Sequence, residues 1–324
     1  MTIDVMLPYY GDVAMMKAAV DSVLAQDDKD FRFTIVDDGY PDESLPAYFN
    51  GLVEGDDRVR YYRNEENLGA NGNYKKCIGL VEHDIVIIMG ADDIMLPNYL
   101  STVRKAFQDP SVSIVQPGVE VIDENGAVYE PLGDKVKTYL RHKLVGGSSE
   151  AVVEGEAIAE SLMVGDWLYF PSVAWRSEAV KHHDFRPQYN VVQDLALATD
   201  IILSGGRMAV VSTVCFQYRR HRESDSSVRA LDGRRFAEER AFFDECVRDF
   251  TAKWLAAGRP RRQVAPDVPP QRGLPDPEGH LQGHVARPAQ ARRARSPSLI
   301  SDVDAPTGPF TNPAAHFRCP PPDL

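Results

Sequence analysis

Two hydrophobic rhythms alternate through the first 115 residues. Ile3-Asp4-Val5-Met6-Leu7 is a short apolar run closed by Pro8, which predicts a strand. Val13, Met16, Val20, Val23 and Leu24 then recur at helical spacing, which predicts an amphipathic helix ending near Gln26. Phe31 to Val36 is strand-like and runs into the turn signal Asp37-Asp38-Gly39. A helix over about 42–53, a strand over 59–62 and a helix over about 71–81 follow. Residues 84–89 are nearly all apolar, as in a strand covered on both faces of a parallel sheet, and they end in Gly90-Ala91-Asp92-Asp93.

Strand and helix in alternation predict an open, mostly parallel, doubly wound α/β layer. In such sheets ligands bind beyond the carboxyl ends of the strands. Pro8-Tyr9-Tyr10, Asp37-Asp38 and Asp92-Asp93 all fall at those ends, so positions distant in sequence share one rim. Residues 118–257 are less regular. They offer a β-rich stretch near 119–128, a polar loop through Gly146-Gly147-Ser148-Ser149, a helix near 155–163 and an aromatic segment over 166–175. A helix from about Val192, a strand over 207–218 and a long helix over about 233–257 complete the pattern. The organisation expected is two halves of one domain, 1–117 and 118–257, followed by a tail.

Composition changes the picture only beyond residue 257. Residues 258–324 hold 14 of the 23 prolines, nine arginines, no lysine and six acids, with little periodicity. A segment so poor in buriable surface cannot offset its chain entropy, and we expect it to be disordered. The chain's formal charge is −12, and since this tail is net positive, the body is more acidic still. Such a body repels a phosphate backbone, which argues against nucleic acid as the partner. It can still take a diphosphate if a divalent cation stands between the two. Cys77, Cys215, Cys246 and Cys319 lie far apart and form no CxxC pair, which suits neither a zinc site nor a disulfide framework. No basic-then-apolar leader is visible, and the run from Ile85 to Met89 is too short to span a bilayer. The expectation is a cytoplasmic protein, with peripheral membrane association left open.

The chemistry-bearing motifs come as an ordered set. Leu7-Pro8-Tyr9-Tyr10, Ser22-Val23-Leu24-Ala25-Gln26 and Ile35-Val36-Asp37-Asp38-Gly39 are followed by Asn67-Leu68-Gly69 with Asn71 and Asn73, then by Gly90-Ala91-Asp92-Asp93-Ile94-Met95-Leu96-Pro97. The set resembles the family 2 glycosyltransferases, densely over 1–115 and more sparsely over 165–225. The resemblance implies a GT-A fold and an inverting, metal-assisted transfer of a sugar from a nucleotide-sugar, a UDP- or dTDP-sugar, to a carbohydrate or glycoconjugate acceptor.

The resemblance also distributes roles. Asp38 would accept from the base or ribose of the nucleotide, as a fixed carboxylate can. Pro8 and Tyr10 would wall the base, and Asn73 would touch base or phosphate, although some relatives place Arg there. Asp92 would ligate Mn²⁺ or Mg²⁺ with Asp93 in support; the family's usual first acid is Gly90 here. Such an ion neutralises a departing diphosphate. His221 would complete the metal sphere, and Arg220 or Arg222 would pair with the diphosphate. Asp194, in Gln193-Asp194-Leu195 at a helix start, would be the general base, with Asp166 its rival. An Asp in that place is also favoured merely by capping and the helix dipole. Trp167, Tyr169, Phe170 and Trp175 would offer a stacking surface for an acceptor sugar, or simply core. His182 and His183 are expected to lie on the solvated surface. Two other readings stay open. A nucleotidyltransferase also pairs carboxylates with a metal, but would carry a Gly-rich basic loop where Pro8-Tyr9-Tyr10-Gly11-Asp12 stands. A catalytically weak nucleotide-sugar-binding module is the other.

Overall fold

Strand β1 (Ile3–Tyr9) lies inside the parallel part of a mixed sheet. The computed structural model describes residues 1–221 and 234–256. In it β1 pairs in parallel with β2 (Phe31–Asp37) on one side and with β4 (Ile85–Ile88) on the other, and β3 (Val59–Arg63) extends the sheet beyond β2. The period of two along β1 sends Ile3, Val5 and Leu7 into one core and Met6 into the other. Both faces are therefore covered, which is why these strands read as continuous apolar runs.

The first core is closed by α1 (Val13–Leu24), α2 (Leu45–Gly55) and α4 (Tyr99–Ala106), through residues such as Met16, Val20, Phe49 and Leu100. The second receives Cys77 and Ile78 of α3 (Gly69–Gly79), Ile158 and Leu162 of α6 (Gly155–Val164) and Val180 of α7 (Ser177–His183). It also receives Leu195 and Ile201 of α8 (Gln193–Leu203) and Phe242 and Phe250 of α9 (Arg234–Ala256). Helices on both faces of one sheet give the doubly wound layer that the alternation predicts.

Beyond β4 the sheet turns mixed. Strand β8 (Ala174–Arg176) runs antiparallel between β4 and β6 (Val112–Ile122), and β9 (Arg207–Arg219) lies parallel to β6. The far edge of β9 is shared by β7 (Glu150–Glu154) near its start and β5 (Ile94–Met95) near its end, both antiparallel. The division expected at 117/118 thus falls inside β6, in one continuous sheet. Gly118 is required there, because a Cβ on it would lie 2.4 Å from the Thr213 carbonyl oxygen of β9.

Several elements exceed the sequence reading. β5, β8 and α7 are too short to show a period, and β7 alternates half-buried with exposed positions. Helix α5 (Leu132–Leu144) precedes the polar loop at 146–149; its one fully buried side chain is Asp134, and only Leu140 and Leu144, half-buried, pack on the second core, so the apolar inner stripe that announces a helix is short. At the rim opposite the acidic turns, the buried Asp4 carboxylate binds Arg32 and His83 and accepts from the backbone N–H groups of Glu82 and His83, joining the starts of β1, β2 and β4. Cys77, Cys215 and Cys246 are buried free thiols. No helix among the described residues is long and apolar enough to cross a membrane. The expected disordered tail, 258–324, lies outside the described residues.

Candidate active site

The strand order β3-β2-β1-β4 reverses direction at β1, since the chain moves first to one side of it and later to the other. Such a switch point opens a crevice beyond the carboxyl ends of the strands. A cavity of about 460 Å³ lies there, lined by Pro8, Tyr10, Gly11 and Asp12 after β1, Asp38 after β2, Asn67, Gly69, Ala70, Asn73 and Tyr74 around the start of α3, and Ile88 to Asp92 at the end of β4 and beyond. Phe170, Pro171 and His221 close it from the second half. That volume is the size of a small-molecule site.

The two acids after β2 part company. Asp37 is wholly buried and structural: Oδ1 accepts from the Tyr40 N–H and Oδ2 from the Tyr61 hydroxyl, with Arg63 at 3.4 Å. Asp38 lines the cavity. Its Oδ1 accepts from Asn64 Nδ2 at 2.7 Å and from the Leu68 N–H at 2.9 Å. Asn64 also donates to Asn73 Oδ1, while Asn73 Nδ2 donates to the Val36 carbonyl. Asn73 borders the cavity, as its assigned contact role requires, but its amide is engaged in clamping β2 to α3. Asn64, which the sequence reading passed over, is the hub of this clamp; its only signal was a polar residue directly after a strand.

The acids after β4 part as well. Asp92 lines the cavity, and its Oδ2 lies 2.8 Å from His221 Nε2. Asp93 points inward, is fully buried, and accepts the Arg219 N–H on Oδ1. Burial and the neighbouring Asp92 charge push its carboxyl well above the usual range. Gly90 permits this packing: a Cβ there would lie 2.4 Å from Asp93 Oδ2 and 2.9 Å from Asp92 Oδ1. Of the three assigned metal ligands the structure therefore joins Asp92 and His221 and sets Asp93 apart. Among the described residues no three His, Cys, Asp or Glu side chains converge on a metal position. A carboxylate and an imidazole nitrogen meeting in the cavity wall are donors of the kind that would hold a divalent cation.

Arg220 is not in the cavity wall. Its guanidinium is held by both oxygens of Asp134 at 2.9 and 2.8 Å, and Asp134 also accepts the Tyr169 hydroxyl. The pairing with a diphosphate read from the sequence is thus replaced by a partner from α5, a helix that reading did not contain. Arg222 lies outside the described residues. The aromatic surface is mostly core: Trp167, Tyr169 and Trp175 are buried, and only Phe170 reaches the cavity. Tyr10, by contrast, is 56% exposed and rests edge-on against Tyr40.

Asp194 sits in the first turn of α8 and does not line the cavity. The backbone N–H groups of Asn190, Val191 and Val192, just before that turn, are held by Glu238 of α9. Burial and the nearby charge of Asp166 raise the Asp194 carboxyl to about 7, with Lys137 acting in the opposite direction. Asn71 of α3 donates to the Tyr189 carbonyl and to Asn190, tying α3 to the loop that leads into α8.

This cavity, its acids and their order along the chain mirror the motif set. Residues 4–156 match Glycosyl transferase family 2. Among curated relatives, the GalNAc(5)-diNAcBac-PP-undecaprenol beta-1,3-glucosyltransferase of Campylobacter jejuni is 28% identical over 104 residues, 32% of this chain and 33% of its own length. The chain spans less than half the length of the curated relatives it matches. Among solved structures, Staphylococcus aureus TarS in complex with UDP-GlcNAc aligns with a TM-score of 0.54 at 16% identity, over 79% of this chain and 73% of that one. The mannosyltransferase PcManGT of Pyrobaculum calidifontis, in complex with GDP-Man and Mn²⁺, aligns with a TM-score of 0.56 at 15% identity, over 79% and 74%. At such identities the likeness is one of fold, and the fold is that of the GT-A glycosyltransferases.

Proposed function

We propose that this protein is an inverting glycosyltransferase that moves a sugar from a nucleoside-diphosphate donor, a UDP- or dTDP-sugar, to a hydroxyl of a carbohydrate or glycoconjugate acceptor. The observation that carries this reading is the cavity at the sheet's switch point, whose wall combines Asp38 with the Asp92–His221 pair. Relatives support the reading: TarS and PcManGT were solved with nucleotide-sugars, and the Campylobacter enzyme is named for a glycosylated acceptor.

In this proposal Pro8 and Tyr10 flank the base, and Asp38 accepts from base or ribose through Oδ2, because Asn64 and Leu68 occupy Oδ1. Asp92 and His221 would hold a Mn²⁺ or Mg²⁺ ion, which when bound neutralises charge on the leaving diphosphate. The acceptor hydroxyl gives its proton to Asp194 as its oxygen attacks the anomeric carbon, and the bond from that carbon to the diphosphate oxygen breaks on the opposite face. A carboxyl raised to about 7 is matched to that task near neutral pH, basic enough to take the proton and still ionised in part.

Calorimetry of the full chain against UDP-, dTDP- and GDP-sugars, with and without Mn²⁺, tests the proposal, followed by NMR of the anomeric configuration of the product. Metal-dependent binding and an inverted product are the expected results. Absence of binding by every nucleotide-sugar would end the proposal, and a retained configuration would end its mechanism.

A further inference from the structure

Helix α5 exposes more apolar surface than it buries on its first two turns. Its inward face is largely polar: Asp134 holds Arg220 and Tyr169, Lys137 donates to the Leu168 carbonyl at 2.8 Å, and Arg141 donates to the Pro117 carbonyl at 3.3 Å, while Leu140 and Leu144, half-buried, pack against the second core. Its outward face carries Leu132, Val136 and Tyr139, which are 79%, 52% and 64% exposed. Their spacing of four and three residues places them in one row along the helix. Val128 and Tyr129, immediately before the helix, are exposed as well. Lys135, His142 and Lys143 are exposed alongside this row. Between Leu132 and Leu144 stand Lys135, Lys137, Arg141 and Lys143 against the single acid Asp134, in a chain whose net charge is −12.

We propose that the outward face of α5 docks on an anionic lipid surface. A row of apolar and aromatic side chains bordered by cations is the pattern of a helix lying in the membrane interface, with Tyr at headgroup level. Charge selects this occupant over the two nearest alternatives. In a two-fold pairing of α5 with a second copy, each basic border would meet its own like. The segment 258–324 carries nine arginines against six acids, so its net charge has the same sign as the helix. Anionic headgroups complement the border instead. Lys135 reaches Glu130 at 3.4 Å, but an exposed pair of that kind is weak and does not cancel the attraction.

The docking claim stands on α5 alone. Its consequence for the acceptor, a sugar carried on a lipid, rests on the glycosyltransferase reading. Asp134 and Lys137 connect the helix to Arg220, next to His221, and to the surroundings of Asp194, so docking here would bring the candidate site to the membrane.

The test is co-sedimentation of the full chain with vesicles of phosphatidylcholine, alone or mixed with phosphatidylglycerol. Binding to the mixed vesicles only is expected. The triple variant Leu132→Ser, Val136→Ser, Tyr139→Ser should lower that partition at least about tenfold. Hydrogen exchange of the unaltered chain, which does not depend on the variant folding, should show vesicle-induced protection over 128–143. Failure to bind mixed vesicles, undiminished binding by the triple variant, or protection confined to other segments would overturn the proposal. So would light scattering that shows a dimer dispersed by the same three substitutions, since α5 would then face a second copy.

Discussion

His221 Nε2 lies 2.8 Å from Asp92 Oδ2, although 129 residues separate the two in the chain. The contact joins the exit of β9 to the exit of β4, and with them the two halves of the domain. A hydrogen bond between them is sound by itself, and its place in the cavity wall is what the proposed metal role rests on. Asp92→Asn retains the size and a hydrogen-bonding oxygen but loses the charge a cation needs. We expect Mn²⁺-dependent affinity for UDP or dTDP to fall at least about tenfold in calorimetry. The melting free energy should change by less than about 1 kcal/mol, because the pair is only partly buried. Unchanged metal-dependent affinity would remove Asp92 from the site.

Asn64 does not line the cavity, but it holds Asp38 and Asn73 in place. Asn64→Ala should therefore weaken nucleotide binding through Asp38 while leaving turnover of bound substrate nearly intact, a KM effect. Unpairing buried polar groups should also cost about 1–3 kcal/mol in urea unfolding. A variant with normal KM and lowered kcat would show that the clamp serves another purpose.

Gly90→Asp restores the first acid of the family's usual signature, and we expect it to harm the protein. Its Cβ would sit 2.4 Å from Asp93 Oδ2, and a third carboxylate would join two already crowded ones. Overpacking of that kind costs about 1–3 kcal/mol. Isothermal titration with Mn²⁺ and UDP should show no gain in affinity; a clear gain would mean that the loop re-forms around the new ligand.

What was legible in the sequence follows from what the physics leaves in sequence. The parallel strands announce themselves because burial on both faces demands runs such as Ile85-Val86-Ile87-Ile88. The rim is legible for the same reason, since Pro8, Asp38 and Asp92 follow directly where those runs end. Which acid of each pair faces the cavity was not legible: Asp37 and Asp38, or Asp92 and Asp93, are chemically alike, and only the pleat and the turn decide that Asp37 and Asp93 go inward. The guanidinium chemistry of Arg220 suits a phosphate, and nothing in the sequence points to its actual partner, Asp134, 86 residues earlier on α5. Trp167, Tyr169 and Trp175 could line a groove or a core equally well by composition; Trp167 and Trp175 join the second core, and Tyr169 is buried against Asp134 and Tyr218.

The carboxyl of Asp194 supplies a prediction in which stability and catalysis move in opposite directions. Burial, then the charge of Asp166, raises it from 3.8 to about 7. Between those values the folded chain keeps a proton that the unfolded chain has released, so this group's contribution to stability falls as pH rises through the window. Above pH 7 the folded parent carries the cost of a desolvated charge beside Asp166. Asp194→Asn carries no such charge. It should match the parent in stability near pH 4 and exceed it at pH 8, by an amount on the order of 1–4 kcal/mol in chemical denaturation. The same substitution should lower transfer about 10²–10⁴-fold, since an amide does not take up the acceptor's proton, while nucleotide affinity stays. In the parent, kcat/KM should rise with pH through about 7 as Asp194 ionises. Asp166→Asn separates the two acids: removing the charge beside Asp194 lets it ionise more easily, so the rise should move to lower pH while the plateau at high pH is kept. A variant at 166 that loses the plateau, beside a variant at 194 that keeps it, would reverse the assignment of the base. Stability gained at pH 8 with turnover untouched would leave Asp194 a strained structural acid and no base at all.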